Sequence, residues 1–156
     1  MKIRLLAVGQ KMPQWVQKTF AEYNGRLQKN QQLELLEIAP IHRSKTINAH
    51  KAMQLECTSI LAALKPQEKI ILLDERGKSI STKDLASSIE NWQMQSLDVA
   101  IVIGGADGVS ADLKKQAFQT WSLSRLTFPH PMVRVILMEQ IYRAYSLMAN
   151  HPYHRE

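Results

Sequence analysis

Val99-Ala100-Ile101-Val102-Ile103-Gly104-Gly105-Ala106-Asp107-Gly108 sets five uninterrupted apolar residues against a glycine-rich turn. An apolar run without alternation suits a strand covered on both faces, and the glycines mark where it stops. Ile70-Ile71-Leu72-Leu73 is a second such run, turned by Asp74-Glu75-Arg76-Gly77-Lys78, and Ile3-Arg4-Leu5-Leu6-Ala7-Val8 is a third, ending at Gly9. Helical spacing lies between them. Pro13 opens a segment with Trp15, Val16, Phe20, Tyr23 and Leu27 on one side. Ala49 to Leu64 carries Met53, Cys57, Ile60, Leu61 and Leu64, and Ser81 or Thr82 can cap a helix from Lys83 to about Met94. Buried strands alternating with helices define an α/β fold with a parallel sheet. Further strands are expected at Leu33–Ile38 and Ser122–Leu126. A long helix is expected from Pro131 to about Ala149, burying Val133, Ile136, Leu137, Ile141, Ala144, Tyr145 and Met148.

In such sheets the ligand crevice lies beyond the carboxyl ends of the strands. Three loops should therefore converge, those after Leu73, after Ile103 and after Leu126. The 156 residues and 17.8 kDa suit one domain spanning 1–156, and no repeat or linker divides them. With 45% hydrophobic and 22% charged residues, disordered, collagen-like and membrane compositions are excluded. No run approaches the roughly 18 apolar residues of a membrane helix, and the start is too soon interrupted for a secretory signal, so a cytoplasmic protein is expected. The lone Cys57 excludes an internal disulfide and a multi-cysteine zinc site.

Charge gives the first functional hint. The net +6 is unevenly spread, with nine basic against three acidic residues over 1–51, five against eight over 52–110, and six against three over 111–156. Basic ends suit a polyanion such as RNA, with a merely solubilising surface as the equal alternative.

Two glycine patterns invite comparison with phosphate-binding loops. Gly77-Lys78-Ser79 follows a strand, but Leu72 stands where a nucleotide hydrolase needs its first glycine, so a plain turn is favoured. Gly104, Gly105 and Gly108 miss the dinucleotide spacing because Ile103 occupies its first position. Their place at the crevice still favours close approach of a ligand over a turn serving only the following helix.

Three of the five histidines fall in the last 27 residues. His151 and His154 lack the cysteine or carboxylate partners of a metal site, and no metal is expected. His154 beside Tyr153 and Arg155 suits RNA, through stacking and phosphate contact, against the alternative of a frayed end. Pro129-His130-Pro131 fixes two φ angles around one imidazole and mounts His130 at the crevice, though a structural corner explains it equally well. Glu139 and Arg143, four apart, form a helix-surface pair with no catalytic role expected.

Val8-Gly9-Gln10-Lys11-Met12, Leu73 to Lys78, Ile103 to Gly108, Leu123-Ser124-Arg125-Leu126-Thr127-Phe128-Pro129-His130 and Tyr153-His154-Arg155 occur in order along the whole chain. Together they resemble the SPOUT-class ribosomal RNA large subunit methyltransferase H family. The resemblance implies a parallel-sheet Rossmann-like fold with a C-terminal trefoil knot, a homodimer, and S-adenosylmethionine as cofactor. It implies methylation at N3 of a pseudouridine in the helix 69 loop of 23S ribosomal RNA, with the assembled ribosome as the expected substrate. Carried over by position, the cofactor pocket would comprise Leu73, Gly104, Leu123, Ser124, Arg125, Leu126, Thr127 and Phe128. At Arg125 the backbone is expected to serve, with the guanidinium left for phosphate.

The chemistry suits these residues. A sulfonium donor is already activated, so alignment should dominate, while the N3 proton needs an acceptor or a stabilised anion. His130, Tyr153, His154 and Arg155 are the catalytic candidates. Apolar residues over more than one stripe of the last helix, among them Met132, Ile136, Met138, Tyr142, Tyr145 and Met148, would favour a two-fold partner with each tail near the other's pocket. The competing classes are an RNA-binding protein without catalysis and, more weakly, a nucleotide hydrolase.

Overall fold

The structure, a computed structural model, describes residues 1–154. In chain order the elements are β1 (Ile3–Val8), α1 (Gln14–Arg26), β2 (Glu34–Ile38), α2 (Ala49–Ala63), β3 (Lys69–Ser79), α3 (Thr82–Met94), β4 (Val99–Ile103), α4 (Ala111–Gln116), β5 (Gln119–Ser122) and α5 (His130–Met148). A short 3₁₀ turn, Pro152–His154, follows. The strands form one sheet in the order β2-β1-β4-β3-β5, with every neighbouring pair parallel.

Alternate residues of each strand feed two separate cores. Leu5, Ala7, Ile71, Ile101 and Ile103 face one side, where α1, α3 and α5 pack, with Phe20, Ile89, Trp92, Leu137 and Ile141 against them. Leu6, Val8, Leu72, Ala100 and Val102 face the other, against Cys57 and Ile60 of α2 and Leu113 of α4. This two-sided burial is why the strand sequences show no polar alternation. Chain steps toward the β2 edge pass over the first face, through α1 and α3. Steps toward the β5 edge pass over the second, through α2 and α4. Such constant pairing of direction and face is what single-handed crossovers require. It also makes β4 leave the sheet to the face opposite that taken by its neighbours β1 and β3, which opens a crevice at their carboxyl ends.

Several expectations are corrected. The turn foreseen at Asp74 to Lys78 lies within β3, which runs on to Ser79. Leu73 and Lys78 both register against Trp121, so residues 74–77 are looped out as a bulge. Gly77 closes that bulge against β5, where an added Cβ would lie 2.7 Å from the Trp121 carbonyl carbon. The last strand is Gln119–Ser122 and not Ser122–Leu126, because Trp121 stacks on Trp92 at 5.7 Å, while the Ser122 hydroxyl donates to the Ser124 carbonyl and turns the chain away. The pattern also missed the six-residue α4, capped by the Ser110 side chain, and Trp15 lies half exposed while its neighbour Val16 is buried. Ser81 caps α3 in a reciprocal box with Asp84. Among the described residues no helix is long and apolar enough to cross a membrane.

At the opposite end of the sheet from the crevice, Arg4 of β1 and Glu68 before β3 form an ion pair with side chains only 6% and 2% exposed. Burial alone would push the Glu68 carboxyl up, but the Arg4 hydrogen bond and the Lys65 amide outweigh it and hold it below 4.5. Glu68→Gln leaves a buried guanidinium without its counter-charge and should cost about 3–5 kcal/mol, read by urea unfolding at pH 7. Because the folded pKa is the lower one, the pair's contribution is present above pH 4.5 and fades as pH falls through the folded value. The wild type should therefore lose stability on acidification in that range, and the variant should lose less.

Candidate active site

The crevice is a cleft of about 590 Å³ lined by the ends of four strands, through Val8, Leu73, Ile103 and Ser122, and by the loops beyond them. Its size is that of a small-molecule site. Leu73, Gly104, Leu123, Ser124, Leu126, Thr127, Phe128 and His130 all line it, so residues far apart in the chain share one hollow. Arg125 does not, since its side chain is exposed outside the wall.

The segment 122–128 is shaped by its own short side chains. Ser122 Oγ donates to the Ser124 carbonyl, Ser124 Oγ accepts from the Leu126 amide, and Thr127 Oγ1 donates to Glu75 Oε2. This last bond ties the segment to the β3 bulge across the cleft. Leu73 and Leu123 lie half-buried there and Leu126 is 70% exposed at the rim, apolar surface that the cores leave uncovered.

The opposite wall is the glycine loop. A Cβ on Gly104 would sit 2.7 Å from Val109 Cγ1 and 3.0 Å from the Gly108 carbonyl oxygen. One on Gly105 would sit 2.7 Å from Glu56 Oε1. Protein contacts already account for these two glycines, and Gly108 has φ +77, so a tight turn is sufficient reason for the motif. Glu56 is itself 1% exposed and accepts from the Ile41 amide and from Arg43, whose guanidinium also reaches Asp107 at 2.9 Å. Arg43 thus fastens the 40–48 loop to the glycine turn. Sequence reading had passed over both residues, because nothing local distinguishes a buried carboxylate on α2 from an exposed one.

His130 opens α5 and its ring does not stand free. Nε2 accepts from Arg134 Nε at 3.2 Å. Burial, then the Arg134 charge, holds the imidazole below its usual 6.5, against the pull of the Gly104 carbonyl and Glu37. His130 is one of the candidates expected to take the N3 proton or stabilise the anion, and in the structure its Nε2 is engaged by Arg134. Arg134 was also missed, although an arginine one turn after His130, inside the apolar stripe that includes Leu137 and Ile141, was a visible signal.

Tyr153 lies apart from the cleft of its own chain. Tyr153 donates to Glu139 Oε1 at 3.1 Å and packs edge-on against Tyr142 at 4.7 Å, while Arg143 stacks over its ring at 5.1 Å. Burial foremost, then Tyr23 and Glu139, raise its phenol well above 10. Glu139 is nine residues along α5 from His130, about 14 Å of helix rise. The Glu139–Arg143 pair forms as expected, at 2.8 Å. His151 Nδ1 accepts from the Tyr153 amide. The His154 side chain and Arg155 lie outside the described residues. Among the described residues no three His, Cys, Asp or Glu side chains group as metal ligands.

Residues 1–154 match the family model described as predicted SPOUT methyltransferase. Proteins named ribosomal RNA large subunit methyltransferase H are similar over nearly the whole length. That of Laribacter hongkongensis is 50% identical over all of both chains. That of Marinomonas sp. is 50% identical over 99% of this chain and 100% of its own, and that of Acinetobacter baylyi 48% over 99% of each. A solved structure of a probable methylase family protein from Haemophilus influenzae has the same fold, with a TM-score of 0.54 at 12% identity over 95% of this chain and 66% of that one.

The glycine wall can be tested by substitution. Gly105→Ala forces a methyl group onto Glu56, which Arg43 prevents from yielding, and should cost about 1–3 kcal/mol in denaturant unfolding. Gly25→Ala in α1, with nothing within 4 Å of the added carbon, should instead stabilise the chain by up to about 1 kcal/mol.

Proposed function

The chain belongs to the SPOUT methyltransferase family, and we propose that it transfers a methyl group from S-adenosylmethionine to large-subunit ribosomal RNA, at N3 of a pseudouridine in the helix 69 loop. One observation carries this reading: the cleft at the strand ends gathers Leu73, Gly104 and most of 123–128 into one wall-to-wall hollow. The names of the relatives support the ribosomal substrate.

The residues fit the donor. An adenine ring needs a flat apolar slot with backbone polar groups at its edge. Leu73, Leu123, Leu126 and Phe128 offer apolar surface to the cleft, and Gly104 presents bare backbone there. When bound, the donor supplies an activated methyl carbon that passes from sulfur to N3, leaving a neutral thioether, while N3 gives up its proton. The chain's part is alignment and exclusion of water, for which rigid strand ends are well suited.

Proton removal falls to groups outside the cleft wall. Tyr153, His154 and Arg155 are the catalytic set in this reading, and they act in the pocket of a two-fold partner. Two features support a homodimer. Tyr153 sits too far along α5 to serve its own cleft, and Met132, Ile136 and Tyr142 leave apolar surface on α5 beside Tyr23 of α1. The reading also includes the trefoil knot. Residues 1–156 are one domain, the setting is cytoplasmic, and neither a metal nor a membrane takes part.

Calorimetry should detect S-adenosylmethionine binding to the purified chain, and Gly104→Arg should abolish it, because its side chain is forced against Val109 and the Gly108 carbonyl and must displace the glycine wall. Labelled methyl groups should enter ribosomal RNA when the enzyme is offered free RNA, large subunits and assembled ribosomes in parallel, with assembled ribosomes the best substrate. Binding without incorporation into any of the three would favour an RNA-binding protein that has no catalysis. Deleting Tyr153 to Glu156 should abolish methylation and leave cofactor affinity unchanged, whereas equal loss of both would contradict the separation of alignment from proton handling.

A further inference from the structure

We infer that a second hollow, between α1 and β2, is a recognition pocket for an unstacked nucleobase of the RNA substrate, a reading that rests on the ribosomal RNA methylation proposed above. This hollow measures about 360 Å³, the size of a small-molecule site. It adjoins the cleft. Met12 lines both hollows, and Arg134, which lines the second, donates to His130 on the wall of the first. Bases close together along one RNA strand can therefore reach both.

Two ties on the edge strand frame the hollow. At one end the Asn24 side chain of α1 pairs with the Leu33 backbone in both directions, donating to its carbonyl at 2.9 Å and accepting from its amide at 2.8 Å. At the other end Arg134 of α5 pairs with Glu37 of β2. Four residues of extended chain, about 13 Å, separate the ties. Between them Leu35 is left half-buried, lining the hollow with Phe20 of α1.

The Arg134 end of the hollow is polar. A guanidinium carries five N–H groups, and among the described residues Arg134 has three acceptors, Glu37, the Gly9 carbonyl and His130 Nε2. Two N–H groups on a side chain only 2% exposed thus remain for another partner, and buried donors are ordinarily satisfied. Beside them the Glu37 carboxylate is 36% exposed, and its Oε1 is engaged by no described residue. Donor and acceptor stand side by side with charges that cancel. Such an end disfavours an anion or a cation and suits a neutral planar group with a carbonyl or ring nitrogen next to an N–H. Nucleobases present edges of this kind, and their faces suit apolar walls. RNA is read in this way, through bases splayed out of loops and bonded along their edges. On α1 itself Lys18 and Trp15 are exposed, a cation for phosphate and a ring for stacking.

Ala21, exposed on α1 and lining the hollow, allows it to be filled without touching either tie. Ala21→Phe should weaken binding to assembled ribosomes about tenfold in co-sedimentation, the worth of one base contact, while Ala21→Ser should stay within about twofold. S-adenosylmethionine affinity and the urea unfolding midpoint should match wild type in both variants. Unchanged ribosome affinity in Ala21→Phe overturns the proposal. A changed sedimentation of the chain alone also overturns it, because a second copy is then the occupant. Should Ala21→Phe fail to fold, proton–nitrogen correlation spectra of the wild type decide. Cytidine, uridine and guanosine at millimolar concentration should shift the Gln17, Ala21 and Leu35 amides and the Arg134 Nε–H, with or without S-adenosylmethionine. Shifts confined to the cleft, or none, overturn the assignment. A chain that responds as expected here yet transfers no methyl group sinks the methyltransferase reading alone. Normal methylation with wild-type ribosome affinity in Ala21→Phe sinks the pocket alone.

Discussion

A guanidinium buried to 1% residue exposure must have its donors satisfied inside the protein, and at Arg134 that requirement joins β1, β2 and the first turn of α5. The ladders and the core hold these elements, and Arg134 adds a tie between the strand ends and the helix start. β1 ends in a glycine, β2 lies at the edge of the sheet, and α5 starts after a loop. Once the arginine is in place, the start of α5 cannot slide along the sheet, and the imidazole one turn earlier is fixed with it. The wall of the cleft is therefore set by an interaction on its outer side, between a buried guanidinium and a half-exposed carboxylate.

The glycines divide into two kinds when their neighbours are considered. Gly77, Gly104 and Gly105 lack side chains because other protein atoms occupy the space, and Gly9 and Gly108 because the backbone turns through positive φ. None of the five is glycine for the sake of a ligand alone. A loop that is tight for internal reasons still presents bare peptide to the cleft, so the packing constraint and the binding surface have the same cause. Replacement at 104 or 105 must accordingly disturb stability and ligand contact together, and the two effects separate only in assays that report folding as well as binding.

Most of the architecture was legible because burial on both faces writes itself into a strand as an unbroken apolar run. Val99–Ile103 and Ile3–Val8 were read at their true limits. Reading failed where backbone pairing outweighed residue type. Asp74 to Gly77 have turn chemistry but are held within β3 by its ladder with β5, and Gln119–Ser122 is a strand through Trp121 and its partner strand without any apolar pattern of its own. At the site, residues beside chain breaks and glycine turns were found, while Arg43, Glu56 and Arg134 were not. Their opposite charges lie 13 to 97 positions away, and long-range pairing of charges leaves no local period to detect.

The position of the tail bears on how the chemistry can be divided. In the proposed reading a methyl carbon on a sulfonium requires alignment, for which the strand ends and short hydrogen-bonded turns of the cleft are suited. Loss of a proton from an imide requires a charged or titratable group close to N3; of those lining the described cleft, Arg43 and Glu56 are paired with each other and the His130 lone pair is committed to Arg134. The acidic side chains at the rim, Asp74 and Glu75, would oppose a developing anion. Within one chain the two requirements are met in different places, with the cations and aromatic rings gathered on α5 and the segment after it. A second copy that brings this segment to the first chain's cleft would join them. In that arrangement the half-exposed apolar residues of α1 and α5 have a function in catalysis, since the contact that covers them also completes the site.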